Sequence, residues 1–157
     1  MTRPARPHVT VLFTLAALAA GCGDYVRYDR WATAGVLAAA DQLSDADYRR
    51  DVGLFFKSVH GTLNHLLITQ HRLWLRRFAF GEAPRLDLGA EVEPERDRLR
   101  AALLDGAAQW GRFIDTLDAA RLSGTLAYTT MRGEAVVLPF GSTLLHAGGF
   151  SSSDALW

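Results

Sequence analysis

A single cysteine, Cys22, excludes an internal disulfide. No charge of one sign is in excess. Seventeen basic and seventeen acidic side chains cancel, so the chain has no basic field to hold a polynucleotide and nucleic acid is not an expected partner. No apolar run is long enough to cross a bilayer as a helix. The longest of note, 9–20, has twelve residues against the roughly twenty a span needs. There is no Gly-rich phosphate loop, no Gly-x-Ser-x-Gly elbow and no His-Glu-x-x-His pair. Charged residues make up 22% and apolar residues 49%, a globular balance that argues against disorder. A length of 157 residues suits one domain with a real core.

What is present is helical periodicity. Leu99, Leu103, Gly106, Trp110, Phe113 and Leu117 alternate steps of four and three. This spacing predicts a bundle seam on a helix of about 25 residues, from near Glu95 to near Ala119. Pro94 suits its first turn, and Glu95 and Asp97 suit the positive end of the dipole. Tyr28, Trp31, Gly35, Ala39 and Leu43 form a similar stripe, read as core packing, on a first helix near 25–42. Ser44 follows as the cap of a short turn over 45–50. Val59, Leu63, Leu66, Leu67, Leu73, Trp74 and Phe78 build a helix near 57–79, closed by Gly81. Between 123 and 139, two β-prone runs flank Gly133, which reads as a hairpin or as an irregular connection. Pro139 then opens a last helix. Its helical content ends near His146, because Gly148, Gly149 and three serines follow. About two turns remain where a bundle of this size needs six or seven.

The informative stretch for function is 58–67. It places His65 in an apolar helical run with Gly61 and Thr62 one turn back. Small residues beside an inward imidazole suggest room for a metal ion; the alternative is a hydrogen-bonded core histidine. His60, His65 and His71 are five and six residues apart, so they share no helix face and form no metal pair. Asp115 and Asp118 read as surface residues.

Three blocks resemble the DinB/YfiT-like superfamily of bacterial four-helix bundles. These are Tyr28-Asp29-Arg30-Trp31-Ala32 running to Leu43-Ser44-Asp45; 58–78 with Gly61-Thr62-Leu63-Asn64-His65 and Leu73-Trp74-Leu75-Arg76-Arg77-Phe78; and Leu126-Ala127-Tyr128-Thr129 through Gly133-Glu134 to Leu138-Pro139-Phe140-Gly141 and Leu144-Leu145-His146. The resemblance implies an all-α, up-down-down-up bundle over 24–157, here with a truncated last helix and a hairpin-like link before it. It implies a divalent metal, zinc or nickel, on three histidines. One comes from the second helix, matched by His65, and two come from the last helix at i, i+4. Those two positions hold Phe150 and Asp154, and His146 matches a non-ligand histidine. A shifted reading frame and a degenerate gene copy both produce that pattern.

The implied activity is that of a metal-dependent thiol S-transferase or hydrolase. In such an enzyme a low-molecular-weight thiol, held as thiolate, attacks a small electrophile. With two of three ligands absent, the other reading is a non-catalytic bundle that acts as a structural or interaction protein. The short last helix leaves an apolar groove, which predicts a homo-oligomer or a groove filled by the N-terminus. Residues 1–23 carry Arg3 and Arg6, the apolar run 9–20, then Gly21-Cys22. They read either as a lipoprotein signal with the lipid on Cys22, or as an extension of the first helix in a cytoplasmic protein.

Overall fold

The computed structural model of the protein describes residues 28, 30–82, 84–130 and 132–153, with side chains to residue 147. The N-terminal segment 1–27 and Asp154 lie outside the described residues. The order is α1 (30–40, helical also at 28), α2 (Asp45–Arg49), α3 (Val59–Leu66), a π-helical stretch (Leu67–Trp74), α4 (Leu75–Phe80), α5 (Arg96–Ile114), α6 (Ala119–Ser123), β1 (Thr125–Thr129), β2 (Ala135–Pro139) and α7 (Phe140–Ser153). The architecture is the expected helical bundle, with one hairpin before the last helix.

Two apolar clusters hold it together. Leu37, Ala40, Tyr48, Leu63, Leu67, Leu99 and Leu103 join α1, α2, α3 and the first half of α5. Leu75, Phe78, Trp110, Leu122, Leu126, Phe140, Leu144 and Ala147 join α4, the end of α5, α6, the hairpin and α7. Ser44 caps α2 as read from the sequence, its Oγ accepting from Asp47 N–H at 3.1 Å. The hairpin forms, with Thr125 opposite Pro139 and Thr129 opposite Ala135. Gly133 takes φ +88° in its turn, a conformation that costs glycine little.

Three expectations are corrected. The third long helix stops at Ile114 and not near Ala119. Asp118 accepts from Arg121 N–H at 2.7 Å and starts α6 as a separate helix; a capping carboxylate competes with helix continuation. The last helix does not end near His146 but runs through both glycines to Ser153. Phe140, Leu144 and Ala147 anchor it at i, i+4, i+7, and each further residue adds a hydrogen bond at small cost once a helix is nucleated. Pro139 closes β2, and α7 opens directly after it at Phe140, as read from the sequence. The α1 stripe read as core is exposed: Tyr28, Trp31 and Leu43 face outward, and so do Gly35 and Ala39. The buried positions of α1 are Leu37 and Ala40.

The second helix carries a π-helical stretch that periodicity did not disclose. Leu75 N–H donates to Gln70 O, five residues back. Two side chains occupy carbonyls here. Thr69 Oγ1 donates to His65 O at 2.9 Å and Trp110 Nε1 donates to Gln70 O at 3.2 Å. Side chains that enter the ladder are a recognised cause of such departures from α geometry. Arg77 is buried just beyond, its guanidinium 4.7 Å from the Trp74 ring centre and 4.4 Å from that of Tyr128. Burial lowers its pKa, partly opposed by Tyr128.

Gly106 is required where α5 crosses the π-helical stretch. A Cβ there would lie 2.2 Å from the His71 ring. His71 is packed against α5, and burial pushes its pKa down to about 4 against a weaker opposing effect of Asp105. The native state therefore keeps His71 neutral while the unfolded chain protonates it near 6.5. Its contribution to stability is complete above pH 6.5, is lost as pH falls toward 4, and changes no further below that. We expect about 2 kcal/mol of the loss between pH 7.5 and 4.5 to vanish in His71→Phe, read from urea midpoints of both proteins at both pH values.

Candidate functional site

His65 sits at the end of α3, just before the π-helical stretch. Its Nδ1 is 2.8 Å from Leu88 O. A carbonyl only accepts, so Nδ1 carries the proton of the neutral ring and Nε2 keeps its lone pair. Nε2 makes no hydrogen bond to a described residue. One face of the ring stacks on Phe56, with ring centres 3.8 Å apart and planes 19° apart. The ring lines a cleft of about 680 Å³, whose walls include Phe55, Phe56, His60, Leu88 and Glu91.

The small residue before His65 has a different use from the one expected. A Cβ on Gly61 would lie 2.1 Å from the Phe56 carbonyl oxygen. The space beside His65 is thus filled by the backbone and ring of Phe56. The loop reaches that position through Lys57, which has φ +67°.

The connection 84–95 passes over α3 and is tied to it at three side chains. His60 Nε2 lies 2.6 Å from Glu91 Oε1. Asn64 Nδ2 donates to Glu93 O at 3.1 Å and to His60 O at 3.2 Å, and its Oδ1 accepts from Glu93 N–H at 2.8 Å. These two acceptors use both Asn64 amide hydrogens, so His60 Nε2 is free to donate to Glu91. Arg49 adds bonds to Glu91 Oε1 at 3.3 Å and Pro94 O at 2.7 Å. His65 is the third tie, through Leu88. The result is a fixed carboxylate at the rim of the cleft and an imidazole acceptor on its wall. The three histidines serve three separate tasks, since His71 packs on Gly106.

A family model of the DinB superfamily matches residues 28–151. The chain belongs to the DinB superfamily. The match runs through all three resembling blocks, from Tyr28 past His146. No curated protein and no solved structure matches.

The DinB superfamily is generally metal-associated, so the donor set here decides what can be held. His65 fits one position, because a ligating imidazole ordinarily donates its other N–H to a carbonyl or carboxylate. The remainder of a three-ligand site does not fit. Among the described residues no group of three His, Cys, Asp or Glu side chains could hold a metal ion. His146 is exposed on α7. Phe150 offers no donor atom, and Asp154 lies outside the described residues. Phe56, Leu88 and Glu91 went unread in the sequence because loops carry no periodicity. Asn64, a polar residue inside an apolar run, was the one local signal of the tie to 84–95.

Proposed function

We propose that this member of the DinB superfamily keeps the bundle and one ligand position but not the metal centre, and serves as a non-catalytic binding or interaction protein of the cytoplasm. The observation that supports this reading is the use of His65. Its Nδ1–H fastens the 84–95 connection through Leu88 O, and its ring face is covered by Phe56, while the equivalent last-helix ligand position holds Phe150. The imidazole is a structural tie on one side and a lone acceptor on the other. The cleft then takes a small molecule that donates a hydrogen bond to Nε2 and rests an apolar part on Phe55. Among the described residues no helix is long and apolar enough to cross a membrane.

The alternative, a thiol S-transferase or hydrolase dependent on zinc or nickel, draws support from the same tautomer, since Nε2 is the nitrogen left open. Metal content separates the two. We expect zinc and nickel to bind no tighter than micromolar, since one imidazole with water cannot match three protein ligands. Elemental analysis after dialysis, with and without His65→Ala, reads this. Stoichiometric zinc or nickel that survives dialysis and is lost in His65→Ala would overturn the proposal.

A further inference from the structure

The cleft beside His65 carries more than one open group. The charged side chains on its walls are Arg49, Asp51, Lys57 and Glu91. Two are positive and two negative, so the cleft has no net charge with which to concentrate a simple ion. Their engagement differs. Arg49 is occupied by Asp45, Glu91 and Pro94 O. Asp51 holds its own turn, Oδ1 accepting from Gly53 N–H at 3.0 Å. Glu91 commits only Oε1, to His60 and Arg49, and its half-exposed side chain leaves Oε2 open at the rim. Lys57 is exposed, and its ammonium makes no ion pair with a described residue. Its backbone is fixed by bonds to Leu54 O and from Val52 N–H. Phe55, on the same wall, is 80% exposed. Its ring meets that of Phe56 edge-on, with centres 4.8 Å apart. The cleft therefore presents one open cation, one open carboxylate oxygen, the lone pair of His65 Nε2 and an uncovered aromatic ring.

We propose that the ligand of this cleft is a free α-amino acid with an aromatic side chain. The proposal rests on the reading of the cleft as a small-molecule site and names the class of molecule. The ammonium supplies the N–H donors that Glu91 Oε2 and His65 Nε2 lack, the carboxylate pairs with Lys57, and the side chain covers Phe55. A zwitterion matches walls that carry both signs and no net charge. An amine without a carboxylate leaves Lys57 unmatched and brings a second cation near it. A carboxylate without an amine meets Glu91 as a like charge and has no proton for Nε2. Each partial ligand is thus disfavoured by a repulsion as well as by a missing contact. A volume of about 680 Å³ lies within the roughly 300–1,000 Å³ usual for small-molecule sites.

The test titrates the full chain with phenylalanine and with three probes that share its phenylethyl frame: phenethylamine, 3-phenylpropanoate and 2-phenylethanol. Calorimetry gives the affinities, and NMR follows the His65 ring signals. Phenylalanine should shift those signals and bind about tenfold more tightly than either singly charged probe, the worth of one charge-assisted hydrogen bond. Lys57→Asn removes the ammonium and keeps a residue that accepts positive φ. This variant should bind phenethylamine no more weakly than the parent and lose the preference for phenylalanine. A preference that survives Lys57→Asn unchanged would overturn the proposal. So would 2-phenylethanol binding as tightly as phenylalanine with the same His65 shift, although the small-molecule reading of the cleft would then stand. If none of the four shifts the His65 signals, the proposal and that reading fall together.

Discussion

Phe140→Ala should destabilise the protein by about 3–5 kcal/mol, the usual cost of deleting a fully buried aromatic ring. Phe140 is wholly inaccessible to solvent. Its ring meets that of Phe78 edge-on at 5.2 Å, and the Arg121 guanidinium lies 4.5 Å over its face. Its N–H donates to Gly124 O at 2.9 Å, so the residue joins the base of the hairpin to the start of α7. Four elements, α4, α6, the hairpin and α7, lose a shared contact at once. A change of that size takes a large part of a typical margin of about 5–15 kcal/mol. Urea unfolding followed by circular dichroism reads it. Val137→Ala on the exposed side of β2, where the residue is 65% exposed, should stay below about 1 kcal/mol. Equal losses in the two variants would mean that the second cluster does not stabilise the domain as described.

The contrast between Phe140 and Trp31 shows what the sequence could and could not disclose. Both are aromatic residues of helices, but only Trp31 stands in a stripe that reads as core. Phe140 is core because β1, α4 and α6 converge on it. Trp31 is not covered by any described element, and a stripe of apolar residues records only that a face needs burying, never what buries it. The seam on α5 was legible because it meets a neighbour on the matching period, as Leu99, Leu103, Gly106 and Trp110 do. The π-helical stretch was not legible, since it depends on Trp110 reaching Gln70 O across 40 positions of sequence. The candidate site divides the same way. His65 stood out as an imidazole in an apolar run. Its partners Leu88, Phe56 and Glu91 lie in connections, where only the fold brings them near. Gly61 marked a space one turn before His65, and the Phe56 carbonyl lies in it.

That glycine carries the last expected effect. Within a helix, glycine to alanine ordinarily stabilises by about 0.5–1 kcal/mol, because alanine loses less backbone freedom on folding. At Gly61 the sign should reverse. The new methyl would lie 2.1 Å from the Phe56 carbonyl oxygen and 3.3 Å from its carbon. Both atoms are backbone, so no rotamer change relieves the clash. The 54–57 loop has little slack, since Lys57 N–H donates to Leu54 O at 2.8 Å, Val52 N–H donates to Lys57 O at 2.9 Å, and Lys57 is held at positive φ. The helix start cannot yield easily either, because Ser58 Oγ accepts from Gly61 N–H at 3.0 Å. Gly61→Ala must therefore push the loop off α3 and separate Phe56 from His65. We expect a net loss of about 2–3 kcal/mol, the range of an overpacked contact. With the loop displaced, the ring-current shift that Phe56 imposes on the His65 ring protons should disappear, while the signals of His71, which packs on Gly106 within the π-helical stretch, should hold. A variant at least as stable as the parent, with the His65 signals in place, would show that the Phe56 carbonyl does not occupy the space beside Gly61 and would return that space to a ligand.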